Sequence, residues 1–501
     1  MSLLGIDIGT TGAKIILLEE DGSISANVTE EYETTTANPL WSEQKPGDWW
    51  AASCTGVQKA LEAAGKSNSD INGVGVSGQM VGLVLLDGNG KALRPCIMWN
   101  DQRSAKEAEE LTARIGLETI LAETSNPLFA SFIAPKLEWV RRHEPDVYAQ
   151  IRHLLLPKDY IAYMLTGSVA TEVSDASGTC LLNMERRAWS EVMVSALGIP
   201  EEWLPPCVES EEIVGKVTSQ AAAATGLAQG TPVVGGAGDQ PAQSLGCGIV
   251  EPGLCSVTIG TSGVVFAQAD RHIRHPDGLL HAFCHGVRDQ WYVMGVMLSA
   301  GGSFQWLRDT LSAQGEISFD QLTGLAQGVS PGSDGLLFLP YLSGERMPYD
   351  DPLARGGWIG LTQRHSLAHM VRAVMEGITF GLYDLLQIIR GLGMDIETIY
   401  ASGGASESRL WRQMLADVFD ARIVTTSATQ GAAVGAAMLA GIGAGGFRSA
   451  AEAAAATIVV SGSTEPNPQA HRVYDRAFQM YRSLYPQLKG SFQEMADFSS
   501  L

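Results

Sequence analysis

A chain of 501 residues, 45% hydrophobic and 18% charged, exceeds the ~250–300 residues over which one core usually extends, and its composition excludes a wholly disordered or fibrous polymer. With 34 Lys and Arg against 55 Asp and Glu, the formal charge of −21 argues against broad contact with nucleic acid or an anionic membrane, while leaving room for a local basic pocket. The 7 cysteines are scattered without a CxxC pair, which fits a reducing compartment better than a disulfide scaffold.

The chain shows no basic stretch leading into an apolar signal core and no run of ~18 apolar residues, so the cytoplasm is the expected location. Residues 4–8 read as a strand, Gly9-Thr10-Thr11-Gly12 as the turn that follows, and residues 14–18 as a returning strand that ends at Asp21-Gly22. Residues 73–76 predict another strand, which enters Ser77-Gly78-Gln79-Met80, and residues 83–86 a further one. From Asp101 to about Ile115 the spacing predicts a helix, as it does over residues 136–142. Residues 6–13 and 257–264 share one pattern, a short apolar strand feeding a Gly-Thr-hydroxyl-Gly turn, which points to two related domains around a cleft. The Gly-rich stretch between Pro232 and Pro252 is the expected boundary. Residues 431–440 and the alanines at 453–456 favour closely packed helices, and residues 471–485 predict a terminal amphipathic helix.

Glycine and hydroxyl groups in such turns can bring backbone amides close to phosphate oxygens, although each turn taken alone also fits an ordinary tight turn. Asp7, one residue before the end of the first strand, offers an oxygen suited to hydrated Mg²⁺. Asp239 follows a glycine series, where it can either accept a substrate proton or cap the helix beginning near Gln240 and Pro241. Trp99-Asn100-Asp101-Gln102-Arg103, together with Gln79, suits a polyhydroxyl ligand. The same cluster equally suits a helix cap, an ion pair and a core tryptophan. His281 and His285, and His365 and His369, recur at helical spacing, but neither stretch contains HExxH, and structural histidines are the simpler reading. The chain has no GxSxG elbow, and neither GxGxxG nor GxxxxGK[ST] falls between a strand and a helix, which disfavours covalent hydrolysis, dinucleotide redox chemistry and a P-loop.

Residues 5–14, Gly5-Ile6-Asp7-Ile8-Gly9-Thr10-Thr11-Gly12-Ala13-Lys14, resemble the first phosphate motif of the FGGY family of carbohydrate kinases, and Thr258-Ile259-Gly260-Thr261-Ser262-Gly263 resembles the second. Ala401-Ser402-Gly403-Gly404-Ala405-Ser406-Glu407-Ser408 is similar to the family's adenosine loop, with Ser402 where glycine is common. Gly344-Glu345-Arg346-Met347-Pro348-Tyr349 and Asp351-Pro352-Leu353-Ala354-Arg355-Gly356 add further matches, so that the motifs run from about Gly5 to Ala440. The resemblance implies an α/β fold of two ribonuclease H-like domains, of the actin and sugar-kinase superfamily, with a central cleft. Residues 1–248 would form a sugar-binding domain and residues 249–501 a nucleotide-binding domain.

By the same resemblance, ATP and Mg²⁺ are the expected cofactors, Asp239 the general base and Asp7 the metal-organising carboxylate. Thr10, Thr11, Lys14, Gly260, Thr261, Ser262, Gly403, Gly404, Ala405 and Ser408 are the nucleotide-binding candidates. Gln79, Met80, Val81, Asn100, Asp101, Arg103, Asp239 and Gln240 are the substrate-binding candidates. Within the family, residues 78–87, Leu156-Pro157-Lys158-Asp159-Tyr160 and Ser174-Asp175-Ala176-Ser177-Gly178-Thr179 most resemble the xylulokinase subgroup, which implies phosphorylation of D-xylulose on its 5-hydroxyl. Two positions depart from that subgroup: Val81 replaces a histidine, and Gln240 replaces an asparagine. They keep another ketose, or a polyol such as glycerol, erythritol or arabinitol, as the alternative, and a non-catalytic ATP-binding scaffold is the alternative from another class. The expected partner is a small sugar or polyol, with no nucleic acid and no membrane. A homodimer is one assembly the resemblance admits.

Overall fold

In the computed structural model, which describes residues 1–312, 315–427 and 431–499, the opening strand, turn and strand form a hairpin of β1 (Ser2–Ile8) and β2 (Gly12–Glu19), extended by β3 (Ile24–Glu31). On its other edge β1 pairs in parallel with β4 (Ile71–Gly78), so it is buried along its whole length and reads as a continuous run rather than an alternating one. With β5 (Ile213–Lys216), β6 (Pro232–Val234) and β7 (Ala237–Gly238), these strands make a seven-stranded sheet in the order β5-β6-β4-β1-β2-β3, with β7 also on β4.

A second seven-stranded sheet is built from β8 (Cys255–Ile259), β9 (Gly263–Ala269), β10 (His281–Cys284), β11 (Trp291–Met297), β12 (Thr398–Ser402), β13 (Arg422–Thr426) and β14 (Val460–Thr464), in the order β10-β11-β9-β8-β12-β13-β14. Laid against each other, β3-β2-β1-β4-β6-β5 and β11-β9-β8-β12-β13-β14 agree in the sense of every neighbouring pair, parallel or antiparallel. The two Gly-Thr turns differ by one residue in how they close: the Gly9 amide donates to the Gly12 carbonyl at 3.1 Å, whereas the Gly260 amide donates to that of Ser262 at 3.0 Å. The short internal similarity in the sequence therefore marks a duplicated mixed sheet.

The helices used below are α1 (Ala105–Ile115), α2 (Ile133–His143), α3 (Pro157–Thr166), α4 (Asp239–Gly246), α5 (Gly301–Leu311), α6 (Leu367–Gly391), α7 (Gly431–Gly443), α8 (Ala450–Thr457) and α9 (Pro468–Ser499). α1 starts later than the sequence pattern predicts because the Asp101 carboxylate accepts the Arg103 amide at 2.9 Å and holds residues 101–103 in a turn. His281 lies on a strand and His285 in the loop after it, so their spacing is not helical; His365 precedes α6, while His369 sits in its first turn. The terminal helix α9 buries Tyr474, Phe478, Tyr481 and Tyr485 in the core of the second half. Among the described residues, no helix is long and apolar enough to cross a membrane.

The two halves exchange helices. α7, from the second half, lies on the first sheet so closely that a Cβ on Gly5 would sit 2.0 Å from the Ala433 carbonyl oxygen and one on Gly75 1.8 Å from that of Ala436. α4, from the first half, reaches the second half, where Ser244 Oγ and His285 Nε2 are 2.8 Å apart. The two helices cross on glycine: a Cβ on Gly435 would lie 1.9 Å from the Ala242 oxygen, and one on Gly246 1.8 Å from that of Gly431. The Gly/Ala composition of residues 431–440 follows from this crossing, since only small side chains let backbones approach so closely.

Candidate active site

Both sheets deliver their polar turns to one cleft. In the first sheet, Asp7 pairs in register with Ser77, and Ser77 in turn with Ala237, so three neighbouring parallel strands end at one level. Asp7 and Asp239 thereby meet at the carboxyl ends of parallel strands, the place where open α/β sheets bind ligands. Asp239 is the first residue of α4, and its side chain makes no capping bond; Gly238 occupies the cap position. That geometry leaves the carboxylate free of the capping role that the sequence also allowed.

Three cavities adjoin along the cleft. One of about 320 Å³ lies between the Gly260-Thr261 turn and Gly404, Ala405 and Ser408, with Gln305 and Trp411 on its walls. A larger one, about 680 Å³, shares Gly404 and Glu407 with the first and extends to Lys14, Asp7 and Asp239. The third, about 250 Å³, shares Asp239 with the second and is otherwise mostly apolar, walled by Met80, Val81, Trp99, Phe132 and Phe283. Asp239 thus stands between a polar, glycine-lined compartment and an aromatic-lined one, on the walls of both. Gly403 has φ +82, and its Cβ would lie 2.3 Å from the Ile259 oxygen, so the loop after β12 can reach the Gly260 turn only with glycine there.

Burial raises both carboxylates. Asp239 is pushed up to about 7, chiefly by desolvation and then by the charge of Asp7, against the hydrogen bonds of Gln240. Asp7 is pushed up to about 6 by burial, opposed by Lys14, its partner across β1 and β2, and by Ser77. The Oδ1 atom of Asp7 is buried with no hydrogen-bond partner among the described residues. One such oxygen beside a polar cavity fits Mg²⁺, which keeps most of its waters and is usually held by one or two carboxylates plus phosphate oxygens. Among the described residues, no group of three or more His, Cys, Asp or Glu side chains could hold an ion by itself.

The sequence candidates separate in space. Met80, Val81, Asp239 and Gln240 line the third cavity, whereas Gln79 points into the wall behind it, its Nε2 donating to Gln44 Oε1 at 2.9 Å. Asn100 is exposed and lines none of the three. Asp101 and Arg103 form a buried ion pair at 2.7 Å, and Arg103 also pairs with Glu43 and stacks over Trp41 at 3.8 Å, so both are engaged in packing. Of that cluster only Trp99 faces the cavity, its Nε1 donating to Thr10 Oγ1 at 3.1 Å. Among the nucleotide candidates, Gly260, Thr261, Ala405 and Ser408 line the first cavity, Lys14 and Gly403 the second, and Gly404 both. Thr10 and Ser262 line the third instead, and Thr11 lines none of them. Ser402, where glycine was expected, places its Oγ 2.8 Å from Thr258 Oγ1, joining β12 to β8.

Sequence reasoning assigned no substrate role to Ser131, Phe132, His281 or Arg346, all of which line the third cavity. His281 is buried with Nδ1 unpartnered among the described residues, and burial and then Arg346 hold it well below its usual pKa, as neutral imidazole. Arg346 stacks its guanidinium on Phe129 at 4.9 Å. The second half therefore supplies much of a cavity that the resemblance assigns mainly to the first.

The chain is similar to known proteins along its whole length. Residues 2–246 match the N-terminal domain of the FGGY family of carbohydrate kinases and residues 255–444 its C-terminal domain. The chain is 37% identical over 487 residues to the xylulose kinase of Bacillus subtilis, covering 97% of each protein, and 29% identical over 506 residues to the gluconokinase of the same organism, covering 99% and 98%. The crystal structure of xylulose kinase from Rhodospirillum rubrum matches with a TM-score of 0.93 at 31% identity, over 98% of this chain and 100% of that one.

Proposed function

Since the chain belongs to the FGGY family of carbohydrate kinases, which are ATP-dependent enzymes, we propose that its substrate is D-xylulose, phosphorylated on the 5-hydroxyl, and that Asp239 is the general base. The observation that carries this reading is the position of Asp239 between the polar compartment and the aromatic-lined one, on the walls of both. Gly403, Gly404, Ala405 and Ser408 would hold the adenosine end of ATP, and Gly260, Thr261 and Lys14 the phosphate end. Asp239 would take the proton of the hydroxyl as it attacks the γ-phosphate in line, in a site where closure excludes water. Mg²⁺, held by Asp7 together with phosphate oxygens, would offset the charge of the transferring group. In this reading residues 1–248 carry the base and one wall of the sugar pocket, and residues 249–501 the nucleotide pocket and the opposite wall.

A base must be ionised to act, so a carboxylate raised to about 7 gives the rate an acid limb. kcat/KM for the sugar should fall about tenfold per pH unit below pH ~7. A profile flat from pH 5 to 8 would remove Asp239 from the role.

The full-length xylulose kinase relatives support D-xylulose, while two features favour a second reading, a different ketose or polyol. Val81 is apolar where the subgroup has a histidine, and it is a β-branched residue at φ +58, an uncommon conformation. Gln240 is longer than the subgroup's asparagine. Product formation from ATP and Mg²⁺ should be measured by mass across D-xylulose, other ketoses, glycerol, erythritol, arabinitol and gluconate. D-Xylulose 5-phosphate should dominate, with kcat/KM at least about tenfold above the next compound, the low end of the discrimination that even one missing methylene supplies. Preference for another compound would transfer the assignment to it and leave the role of Asp239 in place.

A further inference from the structure

The segment that delivers Asp239 is Gly235-Gly236-Ala237-Gly238, ending in β7, which has almost no side chains with which to lock itself. Glycine loses more freedom on ordering than any other residue, so the position of this segment must be imposed on its backbone by its neighbours. Beneath it lies a buried charged cluster in which Lys158 Nζ is 2.6 Å from Asp159 Oδ1 and 3.3 Å from Glu172 Oε1. Lys158 and Glu172 are fully buried. Lys158 Nζ also donates to the Gly235 carbonyl at 3.2 Å. At the other end the Gly238 amide donates to Ser174 Oγ at 3.2 Å, and that hydroxyl donates to Glu172 Oε1 at 2.8 Å. Between them the Gly236 amide donates to the Ser210 carbonyl at 2.9 Å, while Ser210 Oγ donates to Glu172 Oε2 at 2.6 Å.

We propose that this cluster is a positioning device for Asp239: Lys158, Ser174 and Ser210, joined through Glu172, fix the start, end and middle of the glycine segment that carries the base. The assignment rests on Asp239 being the base. It also gives a role to the two segments around Lys158 and Ser174, which touch none of the three cavities. A buried ion cluster is weak support for stability alone, because apolar residues of similar volume would often hold the strands as well. What it adds here is a fixed place for each backbone group. Asp175 completes the cluster with two carboxylate oxygens that have no partner among the described residues, and burial, against the pull of Lys158, raises it well above the usual carboxylate range. Asp239 is faced by Asp7 from β1, by Asp175 and by Tyr292 from β11.

The test compares Ser174→Ala, which removes one anchor with little change in volume, and Lys158→Met, each alone and combined with Asp239→Asn. With Asp239 present, Ser174→Ala should lower kcat about 10- to 100-fold, the scale on which an ångström of misplacement acts, while KM for sugar and for ATP stays within about twofold. Combined with Asp239→Asn the same change should cost almost nothing, because no base is left to position. A lower melting temperature with unchanged kcat, or an equal loss with and without Asp239, would overturn the proposal. If Lys158→Met does not fold, Ser174→Ala and Ser210→Ala carry the test. Full turnover by Asp239→Asn would overturn the base and its positioning together, whereas an inactive Asp239→Asn beside an unimpaired Ser174→Ala would overturn the positioning alone.

Discussion

Asp239→Asn is expected to lower kcat by about 10²–10⁴-fold, the range that general-base groups contribute, with the affinity for ATP within about threefold of the parent. Asparagine has the volume of aspartate but cannot accept the proton. The fold should tolerate it, because the Asp239 side chain caps nothing and its hydrogen bonds are those of the adjacent Gln240, the side-chain one long at 3.4 Å. Stability gives the variant a second signature. A carboxyl raised from 3.8 to about 7 in the folded state favours folding while protonated, and that contribution is lost as pH rises from about 4 through about 7. The parent should therefore lose melting temperature over that window relative to Asp239→Asn, and above pH 7 the inactive variant should melt higher. Turnover near the parental rate would end the general-base assignment, and an unfolded product would show that the carboxylate supports the fold instead.

Gly75→Val is expected to be the most damaging single change outside the chemistry, costing about 3 kcal/mol or more. The first added carbon would lie 1.8 Å from the Ala436 oxygen and 2.6 Å from its carbonyl carbon, and neither backbone atom can yield without lifting α7 from the sheet. Gly490→Ala is the contrasting control: it lies within α9 with open space around it, so alanine should add a few tenths to ~1 kcal/mol through helix propensity. Urea midpoints measured side by side should move in opposite directions. Equal midpoints for parent and Gly75→Val would mean that α7 does not rest on β4 in solution.

What was legible in the sequence is what chain-local chemistry dictates. The Gly-Thr turns, the apolar strands before them and the glycine series before Asp239 announce themselves because each needs particular residues at consecutive positions. The cavity walls did not. His281 and Arg346 reach the same space from segments far apart in the chain, and no periodicity records which distant elements close on one another. The helical spacing of His281 and His285 misled because an interval of four residues also fits a strand running into a loop. The cluster at residues 99–103 could be read as a ligand site or as a cap and ion pair. The structure places Asp101 and Arg103 in the second role, since Trp41, Glu43 and Ser42, from a segment sixty residues earlier, already engage them.

The exchange of α4 and α7 between the halves bears on how the chain is made. A ribosome releases β1 and β4 early, but the helix that covers Gly5 and Gly75 emerges only once Gly443 has been added. At roughly 5–20 residues per second, the first sheet waits about 10–40 s after α4 is complete with one face open. A fragment ending near residue 248 would keep that face open permanently, and the remaining fragment would carry α7 with no sheet to lie on. Chaperone occupancy during synthesis, and recovery of activity when the two fragments are produced together, thus depend on the glycines that let α7 lie on the first sheet and cross α4.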